Sequence, residues 1–306
     1  MVVAAYRART EAGDPAALAD LGEPAPELIA TLELTAGALL LLGLPILLLE
    51  LWRLWRRGRL AGARGRGMLT SAFCLLPATL VEIVGFGALF ALYYAVAELA
   101  PSPRANTWAT AAACLVLVDL CYYVEHRLAH RVNLLWSLYH SVHHSADHFD
   151  QTVALRVSFM DFFFSPLIYL PLVAGGFDPV LVLVCLGLVL AWQQWLHTEL
   201  VGRLPPLDPW LNTPSNHRVH HGRSPEYVDT NYGGILMIWD RIFGTYAPER
   251  ASVDYGLVAP LASRHPLAVH FHVFVKLLRG LRRAPSLRRR LRLLLGPPGG
   301  HGDAAS

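Results

Sequence analysis

Cysteine, lysine and charge are all scarce in this chain. The four cysteines, Cys74, Cys114, Cys121 and Cys185, lie in apolar stretches without C-x-x-C spacing. That excludes a disulfide framework and a thiolate metal site, and leaves them as small buried hydrophobes. Charged residues make up 16% of the chain and hydrophobic ones 54%, a balance that excludes an ordinary soluble domain and places the chain among membrane proteins. Lysine occurs once, at Lys276, and arginines bunch at positions 53–66 and 279–292. No nucleic-acid signature is present, so no nucleic-acid partner is expected.

What the chain has instead is long apolar runs. A helix needs about 20 mainly apolar residues to cross the hydrocarbon layer. Leu28–Leu51, Leu69–Ala95 and Trp108–Val124 qualify, while Val157–Val173 and Val180–Leu196 are shorter and read as a hairpin that barely spans or re-enters. The first run follows an acidic stretch and reads as a retained anchor, not a cleavable signal peptide. Six arginines between the first two runs (Arg53, Arg56, Arg57, Arg59, Arg64 and Arg66) place that loop in the cytoplasm. The expected fold is all-α and polytopic, with four to five membrane helices and a cytoplasmic histidine-rich helical cap. Residues 1–27 are read as an extracytoplasmic segment and 28–264 as the membrane domain, with a core over 108–248. Residues 265–306 form a basic tail, in which Lys276–Arg292, broken by Pro285, reads as an interfacial amphipathic helix.

Nine of the fourteen histidines form one series: His126 and His130, then His140, His143 and His144, then His197, then His217, His220 and His221. Two clusters share the pattern H-x-x-H-H, and spacings of three and four put side chains on one helix face. Neutral imidazole is the commonest transition-metal ligand, and nine donors exceed the need of one metal. Two metals with four or five imidazoles each would use them all. The charge rule ignores histidine, yet it brings every cluster to the cytoplasmic face. Thr213-Pro214 reads as a helix start and Gly222 as its stop, so the third cluster rides a helix of about two turns. His148, His265, His270, His272 and His301 lack the spacing and are read as non-ligands.

All-imidazole coordination suits iron, zinc, copper or nickel. A paired site at the membrane surface, ringed by apolar helices and without an evident hydrolytic nucleophile, favours iron and O₂ chemistry on a lipid-soluble substrate. The alternative is a membrane zinc-dependent hydrolase using the same cluster. Metal storage or transport is weaker, because only Glu82 and Asp119 approach an intramembrane polar pathway.

The run D-L-C-Y-Y-V-E-H-R-L-A-H from Asp119 to His130, then L-W-S-L-Y-H-S-V-H-H-S from Leu135 to Ser145, resembles the fatty acid hydroxylase/sterol desaturase superfamily of membrane di-iron oxygenases. The stretches W-L-H-T-E from Trp195, L-N-T-P-S-N-H-R-V-H-H-G-R from Leu211, N-Y-G-G from Asn231 and W-D-R-I-F-G-T-Y from Trp239 are similar to its alkylglycerol monooxygenase branch. The resemblance covers about residues 108–248. It implies two iron ions (Fe2+/Fe3+) held by the nine histidines, O₂ as cosubstrate, and a separate electron-donor protein or reductant. Two positions depart from the branch: Arg131 stands where it carries Glu, and Asp150 where it favours Asn. Neither tetrahydrobiopterin nor an ether-lipid substrate is therefore carried over on resemblance alone.

Metal-bound histidines commonly give their second ring N–H to a carboxylate or carbonyl. Asp119, two turns before His126 in an apolar span, is the leading such candidate, followed by Asp150, Glu199, Asn231 and Asp229. Arg156 is read as pairing with Asp150 or a lipid headgroup. The expectation is an integral protein of a bacterial cytoplasmic membrane, its site facing the cytoplasm. It would hydroxylate or desaturate a C–H bond of a sterol, fatty acyl or alkylglycerol-type lipid held in an apolar cleft between spans.

Overall fold

A computed structural model describes residues 26–100, 102–261 and 263–299. The N-terminal segment 1–27, apart from its last two residues, and His301 lie outside the described residues. Among the described residues, three helices are long and apolar enough to cross a membrane: α1 (Pro26–Arg56), α2 (Ala63–Ala97) and α3 (Trp108–Arg131). Their outward faces carry exposed leucine and valine, Leu34, Leu41 and Val84 among them, as surfaces solvated by lipid should. Pro45 and Pro77 sit inside α1 and α2, a position tolerated in membrane helices. α3 starts on the Thr107 cap, whose hydroxyl accepts from the Thr110 N–H. It continues past the apolar run to Arg131, so His126 and His130 ride its last turns.

Residues 133–144 then form one helical segment, α4, wound in three ways: Asn133–Leu135 as α-helix, Trp136–His140 as π-helix and Ser141–His144 as α-helix. A short 3₁₀ turn (Gln151–Leu155) leads to α5 (Asp161–Ala174), interrupted by a 3₁₀ stretch at Ser165–Tyr169, and to α6 (Pro179–Gln194). Asp178 caps α6 by accepting from Val180 and Leu181 N–H. At about 1.5 Å per residue, α5 and α6 are shorter than the ~30 Å hydrocarbon layer. This length fits the re-entrant arrangement of the two expected, and it brings His197 back to the face carrying His126. Tyr93, Cys114, Val118, Val173, Leu181 and Val189 pack α2, α3, α5 and α6 into the apolar core.

α7 (Pro214–His220) is the short helix expected after Thr213, whose hydroxyl caps it. α8 (Ile238–Ile242) follows a tight loop. The basic tail forms two helices, α9 (Pro266–Arg283) and α10 (Leu287–Leu295), broken at Pro285 as expected. α9 begins ten residues before Lys276, with His265 as its cap. No strand forms among the described residues, only two isolated bridges.

Candidate metal centre

All nine histidines of the series converge, and they sort into two groups. His126, His130, His140, His144 and His220 form the first; His143, His197, His217 and His221 form the second. Within each group the ring nitrogens lie within 4.8 Å of one another. The two H-x-x-H-H clusters are each divided between the groups. α4 sends the i, i+4 pair His140 and His144 to the first group and His143 to the second. Around α7 the roles reverse, with His217 and His221 in the second group and His220 in the first. Residues four apart stack on one face, whereas the third is rotated off it. The groups touch where His144 stacks on His221 with ring centroids 4.3 Å apart. The π-turn Trp136–His140 sits where a widened turn re-phases the helix, a feature often found at functional sites.

Hydrogen bonds fix the rings. Four Nδ1 atoms donate to backbone carbonyls: His126 to Tyr232 at 3.0 Å, His220 to Thr230 at 2.9 Å, His143 to Arg156 at 3.3 Å and His197 to Gln193 at 3.2 Å. A carbonyl accepts only, so each of these rings carries its proton on Nδ1 and a lone pair on Nε2. The Nε2 atoms of His143 and His197 then face each other at 3.2 Å with no proton between them. Nε2 atoms also approach between His197 and His217 (2.9 Å), His126 and His140 (3.1 Å) and His130 and His144 (3.1 Å), where no carbonyl fixes the tautomer of His217, His140, His130 or His144. Facing lone pairs repel unless a cation lies between them. Ligands at about 2.1 Å and near-right angles stand roughly 3 Å apart, which is the spacing seen. Nε2 of His220 and of His221 is buried without a hydrogen-bond partner. These donors fit two transition-metal ions in adjoining positions.

Protonation does not relieve the repulsion. Burial pushes the pKa of His140, His143, His144, His197, His217, His220 and His221 below the ordinary value, His143 to about 4. In the unfolded chain these imidazoles take protons near pH 6.5, so below that pH the unfolded state binds more protons and is favoured. Metal-free protein is expected to lose stability steeply as pH falls from about 6.5, with the His143 share complete near pH 4. Thermal unfolding measured across that range after chelation checks this, and a flat profile contradicts it.

The residues expected to orient the rings are mostly elsewhere. Asp119 hydrogen-bonds no histidine. It accepts from Ile235 N–H (2.6 Å), Leu236 N–H (3.1 Å) and Trp239 Nε1 (2.8 Å), and so pins the loop before α8 onto α3. Asp150 accepts from the Arg64 guanidinium at 3.1 Å and caps the 3₁₀ turn through Thr152. Glu199 accepts from Tyr255 at 3.3 Å. Asn231 donates to the Asn216 and Ala247 carbonyls and bonds no ring. Arg156 makes no salt bridge to Asp150; Arg64 does. Arg156 is buried, and donates to Ser71, Ser145 and the Gly67 carbonyl while its own carbonyl serves His143. Only Asp229 approaches a cluster ring, at 3.7 Å from His130 Nδ1, and it also pairs with Arg131 at 2.7 Å. Arg131 thus acts on the site through this aspartate.

Sequence reasoning missed Asp240. Fully buried, it accepts from Tyr232 N–H (2.8 Å) and Gly233 N–H (2.7 Å), which holds the carbonyl that orients His126. Its place in W-D-R-I-F-G was the available signal. Asp229 and Asn231 both adopt left-handed backbone, φ 63° and 56°. Asp and Asn tolerate this conformation best among residues with a side chain, and it turns Thr230 O toward His220.

A cavity of about 700 Å³ opens on His130, His144, His220 and His221, beside Trp136 and Val228, and is closed on its far side by α9 and α10.

Residues 111–245 match the fatty acid hydroxylase family. The chain is 42% identical to alkylglycerol monooxygenase of Xenopus tropicalis over 182 residues, 60% of this chain and 40% of that one. It is 45% identical to human alkylglycerol monooxygenase over 155 residues, 51% and 34% of the two chains. Against the ornithine lipid hydroxylase OlsE of Rhizobium tropici it is 36% identical over 152 residues, 48% and 45%. The matched part of the chain spans less than half the length of each of these relatives. No solved structure matches it. With the nine clustered histidines of 126–221 inside the matched range, residues 111–245 of this integral membrane protein match a fatty acid hydroxylase domain.

Proposed function

We propose that this protein is an O₂-dependent membrane oxidoreductase that hydroxylates or desaturates a lipid C–H bond, with two iron ions held by the nine histidines. The observation that carries the reading is the pair of adjoining imidazole groups, with the Nε2 lone pairs of His143 and His197 facing one another. Iron so bound supplies the oxidising power, drawn from O₂ and an external reductant, that attack on an unactivated C–H bond requires. The chain's own residues do the rest. Backbone carbonyls of Tyr232, Thr230, Arg156 and Gln193 hold the rings in the metal-binding tautomer. Burial of His126, His197, His217 and His220 keeps bulk water from those rings. The cavity against His130, His144, His220 and His221 holds the lipid.

The relatives' names, alkylglycerol monooxygenase and ornithine lipid hydroxylase, support a lipid substrate with an alkyl or acyl chain. A separate protein or small reductant, tetrahydrobiopterin among the options, delivers electrons in this reading. The arginine-rich loop between α1 and α2 supports a cytoplasmic active site. Placement in a bacterial cytoplasmic membrane has the Rhizobium relative on its side, against several animal ones.

Metal analysis of protein purified without oxygen tests the reading. The expected result is about two irons per chain, one for each imidazole group, with lipid oxidation that stops under argon. Two zincs that survive iron-replete expression, with activity under argon, would establish the zinc hydrolase instead.

A further inference from the structure

The family match ends at residue 245, yet the cavity does not. Its far wall is built from Leu257 and Val258, from Val273, Leu277 and Gly280 of α9, and from Leu293 of α10. The amphipathic tail is therefore more than an anchor. α9 buries Val269 and Leu277 inward while Leu267, Phe271 and Val275 form an exposed stripe four residues apart. α10 continues the pattern outward with Leu287, Leu291 and Leu295, among Arg288, Arg289, Arg290 and Arg292. Helices of this kind lie in the membrane interface, apolar face down and arginines at the headgroups. The same two helices thus face the bilayer on one side and the histidine-lined cavity on the other.

We propose that the α9–α10 hairpin is the specificity-determining wall of the site, and that it sets the length of alkyl or acyl chain the site accepts. The proposal rests on the lipid-oxidising reading above. A cavity of about 700 Å³ lies within the range of pockets that take a drug-sized ligand, which leaves room for a long alkyl or acyl chain. Its wall chemistry agrees. Imidazoles occupy one side, where the reacting carbon must lie, and the hairpin lines the other with Val273, Leu277 and Leu293 beside the polar His272 and Lys276. Gly280 marks where α9 and α10 approach, since a Cβ added there meets only Leu293 Cδ1, at 3.8 Å. A larger side chain at 280 projects into space that the chain would occupy. The hairpin's outward stripe places this wall at the level from which such a lipid arrives.

The test is Gly280→Leu, a change that favours helix and touches no histidine. The full-length protein in nanodiscs would be titrated with octyl, dodecyl and hexadecyl glycerol ethers and with the matching fatty acids, which separates an ether from a carboxylate source of the chain. Binding is read by displacement of a spin-labelled stearic acid, independently of turnover. Hexadecyl compounds are expected to bind roughly tenfold or more weakly, octyl compounds as in the unaltered protein. Leu293→Ala added to Gly280→Leu should restore long-chain binding, a size complementation that general loss of structure cannot produce. An unchanged chain-length profile in Gly280→Leu overturns the proposal, as does weakening equal for all lengths and not rescued by Leu293→Ala. Iron content separates the two readings, because protein without iron that still shows the chain-length shift keeps this wall and loses the oxidase.

Discussion

Alanine at His143 is expected to abolish lipid oxidation and to halve the metal content of the protein. His143 is the member of the second imidazole group that α4 supplies, while His197 comes from the end of the hairpin and His217 and His221 from α7. Its Nε2 faces that of His197 at 3.2 Å, and its ring packs against those of both His144 and His221. Removing it leaves three donors for the second metal and breaks the junction between the groups. Loss of an interaction that merely orients a ligand typically lowers metal affinity or activity ~10–100-fold, and loss of the ligand itself exceeds that. The first group keeps all five imidazoles, so its metal should stay. Metal analysis and lipidomics of cells with and without the active protein check both halves of the expectation. A lipid change that persists in the His143→Ala protein shows that the second group is not the working centre.

The histidines were legible in the sequence because metal ligands obey spacing, and spacing survives without coordinates. The helix carrying His217, His220 and His221 was equally legible, since Thr213, Pro214 and Gly222 are local signals. The division of each H-x-x-H-H cluster between two groups was not. It depends on how α4 and α7 are rotated against each other, and on the π-turn at Trp136–His140, which no local residue choice announces. The ring-orienting partners were misplaced for a related reason. Sequence displays carboxylates and hides carbonyls, so Asp119, Asp150, Glu199 and Asn231 drew attention while Tyr232, Thr230, Arg156 and Gln193 do the orienting through their backbone. The tail's amphipathic character could be read from its arginines and leucines. That it closes the cavity is a long-range packing fact, visible only once Leu277 and Leu293 are seen facing His220 and His221 across it.

Asp119 is expected to show the largest stability effect of any single position argued from this structure. Alanine there strands three donors, Ile235 N–H, Leu236 N–H and Trp239 Nε1, which now share one carboxylate beside an apolar core. A buried donor left unpaired costs ~1–3 kcal/mol, and bonds to a charged group are the stronger kind. The three together set an expected loss of about 3–5 kcal/mol once local relaxation is allowed for. The loop they hold begins at Tyr232, whose carbonyl receives His126, so metal affinity at the first group should fall by a factor of roughly 10–100. Gly234→Ala reaches the same joint from the other side, because its methyl would stand 2.5 Å from Asp119 Oδ1 and 2.9 Å from a Val189 methyl. Asp119→Asn, which keeps one acceptor oxygen, should fall between the unaltered protein and Asp119→Ala. Thermal unfolding in nanodiscs with a parallel metal titration orders the variants. If Asp119→Ala unfolds at the unaltered temperature and binds metal as tightly, the loop is held by its own α8 contacts and not by this aspartate.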